Sequence, residues 1–211
     1  MKVVIVSGGT PPSNELLYKE LKTSSYLICA DSGANCVYNY NLSPNFIIGD
    51  LDSIDVNALN YFKSKKVHIL EYPPDKDFTD TEIAIDKAIN LGADEIVLLG
   101  CTGNRLDHTL GNIGMLLKCL KLDISASIKD NTNTLLLTDK NISIKGNKGD
   151  TFSVLPYGDI IYSLSITGAK YNLKDIKLEL GSALTISNEF LQEEVQITFE
   201  KGILLILFPI E

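Results

Sequence analysis

The feature that most constrains the fold is a change of pattern near residue 130. Before it, short apolar runs alternate with stretches of helical periodicity; after it, short alternating segments are separated by turn residues. The first pattern is typical of a parallel sheet covered by helices, the second of an antiparallel all-β domain. We therefore predict an α/β domain over residues 1–129, with a mostly parallel sheet and helices on both faces, and an antiparallel all-β sandwich domain over residues 130–211.

The apolar runs locate the individual strands. In the first half they predict strands at residues 3–7, 27–31, 46–49, 67–71, 95–100 and 124–129. In the second half, strands are predicted at residues 134–137, 142–144, 151–155, 164–167, 183–187 and 195–199. One helix is expected to begin at Thr79, where the Thr79-x-x-Glu82 spacing is that of a capping box, and to end at Gly92. Another is expected over residues 107–121.

Composition excludes several classes of protein. The chain has 211 residues and a formal net charge of −8, so a general nucleic-acid binder, which needs a basic face, is not expected. The apolar run at 203–208 is too short to span a bilayer, and the run at 3–6 is too short for a secretion signal, so we expect a cytoplasmic protein without a membrane partner. The four cysteines form no C-x-x-C pair and are predicted to be buried free thiols.

Acidic side chains follow several predicted strands of the first half. Asp31 closes the second strand, Asp50 and Asp52 follow the third, and Asp80 lies in the first turn of the helix after the fourth. Because ligands collect at the carboxyl ends of the strands in an open parallel sheet, we expect these four carboxylates in one crevice. Oxygen ligands in an incomplete protein cage suit Mg²⁺. The pattern therefore predicts a magnesium site that also receives phosphate.

Phosphate must be held without a P-loop, because G-x-x-x-x-G-K-[ST] is absent. The candidates are Arg105 as a bidentate fork, Lys76 as a point charge, and backbone N–H groups at the helix starts near Gly33 and Thr79. His108 follows Arg105 closely, and we expect it to support the loop more than to act as an acid or base.

Four ordered segments carry a family resemblance. They are Ala30-Asp31-Ser32-Gly33-Ala34-Asn35, Ile48-Gly49-Asp50-Leu51-Asp52-Ser53-Ile54, Asp75-Lys76-Asp77-Phe78-Thr79-Asp80-Thr81-Glu82 and Gly103-Asn104-Arg105-Leu106-Asp107-His108-Thr109-Leu110-Gly111-Asn112. In order and spacing they resemble the motifs of thiamine pyrophosphokinases. Tyr171-Asn172-Leu173 and Ile186-Ser187-Asn188-Glu189-Phe190 resemble the thiamine-side segments of that family. Ser32 and Asn104 stand where glycine is usual.

The resemblance implies transfer of the pyrophosphoryl group of ATP to the hydroxyl of thiamine, which gives thiamine diphosphate and AMP. It implies that magnesium is held, directly or through water, by Asp31, Asp50, Asp52 and Asp80. The residues implied in catalysis are Asp50, Asp52, Asp80, Arg105 and Asp107. Those implied on the ATP side are Asp31, Asn35, Lys76, Thr79, Arg105, His108 and Asn112.

The resemblance also implies a homodimer with a site shared between the chains. The all-β domain of a partner chain would bring Ser187 and Asn188 over the thiamine. An aromatic face could hold the thiazolium cation, and Tyr171 and Phe190 are the candidates.

Three other readings stay open on the residues. A nucleotide-sugar glycosyltransferase could use Asp50-Leu51-Asp52 as its metal motif, but Asp80 and Arg105 would then be unexplained. A non-catalytic nucleotide-binding protein would keep the phosphate site without an acceptor pocket. A pyrophosphoryl transferase that takes a pterin-like acceptor is chemically close to the first reading.

Overall fold

The first of two compact units, Met1–Asn131, contains a parallel sheet of six strands. The computed structural model describes residues 1–210. The strands are β1 (Lys2–Val6), β2 (Tyr26–Ala30), β3 (Phe46–Gly49), β4 (His68–Glu71), β5 (Glu95–Leu99) and β6 (Ser125–Lys129). The helices are α1 (Asn14–Leu21), α2 (Gly33–Asn39), α3 (Val56–Ser64), α4 (Asp80–Asn90) and α5 (Leu106–Lys121). The strand order is β6-β5-β1-β2-β3-β4, and neighbouring strands are parallel.

The central strands are apolar along most of their length. Since successive side chains of a strand point to opposite faces, both faces of the sheet are apolar there. On one face, Val4 and Ile47 belong to a buried cluster with Leu17 of α1 and Phe62 of α3. The alternate strand residues face the other side, where α4 contacts β1, β2 and β3 and α5 contacts β6. The predicted α/β architecture with helices on both faces is therefore confirmed.

The well-marked helices form close to their predicted bounds. The hydroxyl of Thr79 caps α4 by accepting a hydrogen bond from the Glu82 N–H at 3.2 Å. The Glu82 carboxylate instead contacts Lys118 Nζ of α5 at 3.1 Å. Gly92 follows the end of α4 with φ at +86°, where a residue without a side chain is favoured.

The second unit, Thr132–Glu211, is built from antiparallel strands. They are β7 (Asn133–Thr138), β8 (Ile142–Lys145), β9 (Thr151–Pro156), β10 (Ile161–Thr167), β11 (Leu173–Leu178), β12 (Asn188–Glu189), β13 (Glu194–Thr198) and β14 (Leu204–Pro209). Within this unit β12, β9, β14 and β7 follow one another in one sheet, and β11, β10, β13 and β8 form another. Phe152 and Ile206 of the first share a core with Leu164 and Val195 of the second, which confirms the antiparallel sandwich.

One predicted strand is wrong. Residues 183–187 form turns, because Thr185 donates its hydroxyl proton to the carbonyl of Val154 and Ser187 adopts a positive φ of 55°. Strands β11, β12 and β14 are present without having been predicted. The four cysteines are buried and free, as expected.

Candidate active site

The strand order reverses at β1, which lies between β2 and β5. Such a reversal leaves a crevice beyond the carboxyl ends of the strands. A cleft of about 410 Å³ lies there, and its walls come from the segments that follow β1, β2, β3 and β5 and from the start of α4. The fold therefore places the cleft where the sequence pattern predicted it.

Three of the predicted carboxylates converge beside this cleft. Oxygen atoms of Asp31, Asp50 and Asp52 lie within 4.8 Å of one another. Asp31 and Asp50 line the cleft, while Asp52 is exposed at its edge. Three hard oxygen donors at this spacing could hold a divalent cation.

The backbone turns sharply to bring these carboxylates together. Asp31 and Leu51 both adopt positive φ angles, of 48° and 67°, which are uncommon for residues other than glycine. The Asp52 N–H donates to Oδ1 of Asp50 at 3.3 Å and so shapes the loop between them. Strain of this kind is typical of functional loops.

Asp31 offers an unsatisfied oxygen. Its Oδ2 accepts a hydrogen bond from the Ser53 hydroxyl, whereas its Oδ1 is buried without a hydrogen bond. A buried carboxylate oxygen without a partner is costly, and a bound cation would satisfy it. The unpaired Oδ1 of Asp31 is the structural feature that best supports a metal site here.

The carboxylates also repel one another. The pKa of Asp52 is raised, chiefly by the negative charge of Asp50 and further by Asp31 and Asp80. A divalent cation would remove this repulsion, which again suits the donor set.

Asp80 lines the same cleft but lies outside the group of three. Its Oδ1 is 2.8 Å from Nζ of Lys76, four residues earlier. The contact is a short ion pair to a buried carboxylate oxygen.

Arg105, the single arginine of the chain, lies directly before α5 on the rim of the cleft. Its guanidinium donates to Asp107 at 2.6 Å and 3.3 Å. This pair raises the pKa of Arg105 and lowers the pKa of Asp107. His108 lines the cleft, with its Nε2 4.0 Å from Oδ2 of Asp107. Asp107 thus orients the guanidinium group of Arg105 at the cleft.

Three other predicted residues have structural partners. The Asn35 amide donates to Ser53 O at 3.1 Å and accepts from the Asp55 N–H at 2.9 Å, so it braces the Asp50 loop. Asn112 donates to Cys101 O at 2.8 Å. Thr79 caps α4, and both Thr79 and Asn112 line the cleft.

The thiamine-side candidates lie in the second unit. The Asn188 amide is buried and holds both backbone groups of Tyr171, accepting from its N–H at 3.1 Å and donating to its carbonyl at 2.9 Å. Tyr171 is 56% exposed, and Ser187 is also exposed. Phe190 is 2% exposed and packs against Phe152, so Tyr171 is the more accessible of the two aromatic candidates.

Several cleft residues escaped the sequence analysis. Gly8 and Gly9 follow β1, and an added Cβ at Gly9 would lie 2.3 Å from the carbonyl oxygen of Thr102. Gly8 leaves room for the hydroxyl of Ser32 in the same way. Phe78 is 56% exposed although it lines the cleft. The paired glycines after an apolar strand were the available signal for this close approach of backbones.

Comparison with known proteins agrees with this geometry. Residues 17–128 match the family described as thiamin pyrophosphokinase, catalytic domain, and residues 139–204 match thiamin pyrophosphokinase, vitamin B1 binding domain. The thiamine pyrophosphokinase of Bacillus subtilis (strain 168) is 32% identical over 182 residues, which cover 85% of each chain. Thiamine pyrophosphokinase 1 of Oryza sativa subsp. japonica is 26% identical over 96% of this chain and 84% of the relative.

Solved structures are similar over the whole chain. The crystal structure of the Bacillus subtilis thiamine pyrophosphokinase gives a TM-score of 0.90 at 29% identity and covers 100% of both chains. That of the Geobacillus thermodenitrificans enzyme gives 0.86 at 28% identity and covers 100% of this chain and 98% of the other. None of these similarities supports a glycosyltransferase or a non-catalytic binding protein. On its sequence and on its fold, the chain belongs to the thiamine pyrophosphokinase family.

Proposed function

We propose that this protein transfers the pyrophosphoryl group of ATP to the hydroxyl of thiamine, giving thiamine diphosphate and AMP. The observation that carries the proposal is the convergence of Asp31, Asp50 and Asp52 beside a cleft that Lys76 and Arg105 also line. Family membership supplies the reaction class.

In this reaction the thiamine hydroxyl oxygen forms a bond to the β-phosphorus, and the bond from that phosphorus to the α,β-bridging oxygen breaks. AMP leaves with the electron pair, and the hydroxyl proton passes to a carboxylate. Asp31, Asp50, Asp52 and Asp80 are the candidates for that acceptor and for the magnesium ligands. Bound Mg²⁺ would supply neutralisation of phosphate charge.

The chain's own basic groups complete the phosphate site. Arg105 binds phosphate oxygens as a fork in this proposal, which is supported by the hydrogen bonds that hold its guanidinium group against Asp107. Lys76 supplies a point charge on the wall of the cleft. Asn35, Thr79 and Asn112 keep the surrounding loops and helix start in position, and His108 supports the rim.

Thiamine is proposed to lie in a site shared between two copies of the chain in a homodimer. Ser187 and Tyr171 are the exposed side chains available on the all-β domain of the partner. Asn188 acts in this proposal by holding the backbone of Tyr171. In the part of the chain described, no helix is both long and apolar enough to cross a bilayer; a cytoplasmic location remains a prediction.

One assay tests the function. Purified protein is incubated with ATP, MgCl₂ and thiamine, and the nucleotides are separated by anion-exchange chromatography. AMP formed in equal amount to thiamine diphosphate is expected, whereas ADP would indicate transfer of a single phosphoryl group and would overturn the proposal. AMP that appears only with a pterin-like acceptor would favour the related transferase.

A further inference from the structure

Lys76 contacts an acidic side chain in a way that a bound metal would disturb. Its Nζ lies 2.8 Å from the buried Oδ1 of Asp80. Within residues 1–210 this is the one ion pair between a basic side chain and Asp31, Asp50, Asp52 or Asp80. The ammonium group is therefore the basic side-chain charge that is paired with these carboxylates.

Asp80 is the charged partner of the ammonium group. A second contact, the hydrogen bond that the ammonium group donates to the carbonyl oxygen of Pro73, is long at 3.4 Å. The Lys76 side chain is 13% exposed and lines the cleft wall. A lysine ammonium on a flexible stem can change partner by rotating its terminal bonds.

Asp80, the acidic partner of Lys76, lines the same cleft as Asp31 and Asp50. When a divalent cation approaches the carboxylates, it repels the nearby ammonium group. The new anion nearest to Lys76 is then a phosphate oxygen of the nucleotide that enters the same cleft.

We propose that Lys76 is a positioning residue that pairs with Asp80 and moves to a phosphate oxygen when metal and nucleotide bind. This inference rests on the proposed function and adds an order of events to it. Metal alone competes with Lys76, whereas metal with nucleotide gains from it. The same lysine therefore has opposite effects on the two affinities.

The test compares the wild-type protein with Lys76→Met, which keeps an unbranched chain and removes the charge. Mn²⁺ alone is titrated by calorimetry in metal-free buffer. Separately, α,β-methylene-ATP, which cannot be cleaved at the bond that breaks in the reaction, is titrated in saturating MgCl₂. We expect Lys76→Met to lower the Kd for Mn²⁺ about fivefold or more and to raise the Kd for the analogue by a similar factor.

Lys87→Met is the matched control, since it removes the same charge from α4 at a residue whose ammonium contacts the ring of Phe46 and not the cleft. It should leave both affinities within about twofold, because the charge is distant from the site. Lys76→Arg should keep weak Mn²⁺ binding. Circular dichroism and thermal melting confirm that each variant is folded.

Unchanged Mn²⁺ affinity in Lys76→Met would overturn the competition with metal. Tighter Mn²⁺ binding together with unchanged or tighter analogue binding would reduce Lys76 to a static counter-charge and would overturn the change of partner. Neither titration contains thiamine, so this inference can fail while AMP formation by the wild-type protein stands.

Discussion

The hydroxyl of Ser53 donates a hydrogen bond to Oδ2 of Asp31 and leaves the other oxygen of that carboxylate buried and unbonded. Ser53 comes from the loop after β3, whereas Asp31 follows β2. The bond therefore fixes the orientation of Asp31 from the loop that carries Asp50 and Asp52. Two neighbouring strand ends thus form one carboxylate site.

Replacing Asp50 or Asp52 by asparagine should lower kcat/KM for ATP about 100-fold or more, because an amide keeps the shape but loses the charge that holds a cation. Initial rates of AMP formation at saturating thiamine measure this. Asp75→Asn, an exposed residue outside the cleft, is the control and should retain near-normal rates. Near-normal activity in either test variant would contradict the metal assignment.

Asp52→Asn should also melt at the same or a higher temperature than the wild-type protein in metal-free buffer. The pKa of Asp52 is raised by Asp50, so its ionised form is disfavoured in the folded state, and the associated stability is lost as pH rises through that pKa. Asparagine removes this repulsion. Differential scanning calorimetry at pH 7 with a chelator gives the melting temperature, and a marked decrease would show that Asp52 has a structural role instead.

Because Arg105 is the single arginine, a dicarbonyl reagent specific for guanidinium groups should modify one side chain of the wild-type protein. ATP with Mg²⁺ should slow this modification and the accompanying loss of activity. Arg105→Lys should resist the reagent and show a KM for ATP about tenfold higher, since a point charge does not reproduce a fork. Mass spectrometry locates the adduct. Modification at an equal rate with and without nucleotide would place Arg105 outside the phosphate site.

The shared site predicts complementation between two inactive variants. Asp50→Asn damages the α/β domain and Ser187→Trp blocks the proposed thiamine side of the all-β domain. When both chains are denatured together and refolded, each mixed dimer contains one intact site. Random pairing in a twofold dimer should therefore restore about a quarter of wild-type activity.

Mixed dimers are identified by a tag on one variant. No recovery in purified mixed dimers would place the whole site within one chain, and an active Ser187→Trp homodimer would remove Ser187 from the site.

Glu20 should control stability in acid. It is 3% exposed and lies 2.7 Å from the ammonium groups of both Lys2 and Lys129. Burial alone would raise its pKa, but hydrogen bonds from Lys129 and Lys2 lower the pKa overall. The stabilisation of the folded state by ionised Glu20 is therefore present above about pH 4.3, the pKa in the unfolded state, and is lost as the pH falls through the lower pKa of the folded state.

At pH 7 Glu20→Gln should reduce the free energy of unfolding by about 3 kcal/mol, since it removes the buried counter-charge that two partly buried lysines share. Urea titrations from pH 3 to pH 7 should show the difference from wild type shrinking in acid. Glu95→Gln, which removes an exposed partner of Lys2 at 3.8 Å, should cost less than about 1 kcal/mol. Equal losses in the two variants would contradict the prediction.

The central parallel strands β1, β2, β3 and β5 could be predicted within one or two residues because both of their faces are buried, which makes them nearly continuous apolar runs. The edge strand β11 escaped prediction, since Lys174, Asp175 and Lys177 are exposed and break the apolar pattern. The run that forms β14 is as apolar as the parallel strands, but an apolar run alone does not distinguish a strand from another buried segment.

The site was predictable to a similar degree. Topology places residues that end parallel strands at one edge, so the meeting of Asp31 with Asp50 and Asp52 follows from sequence order. The contact of Lys76 with Asp80 depends on how the segment before α4 turns. The two hydrogen bonds of the Asn188 amide to the backbone of Tyr171 depend on how the chain folds back over 17 residues. Local patterns do not specify either.

The floor of the cleft is made of touching backbones. Gly9 donates its N–H to Gly100 O at 2.7 Å, and an added Cβ at Gly100 would lie 2.3 Å from the Ser7 carbonyl oxygen. Any side chain at these glycines would force the loops after β1 and β5 apart. In directed evolution toward other nucleotides or acceptors, Gly9 and Gly100 would therefore not tolerate substitution. New specificity would have to arise at rim positions such as Phe78 and Asn104.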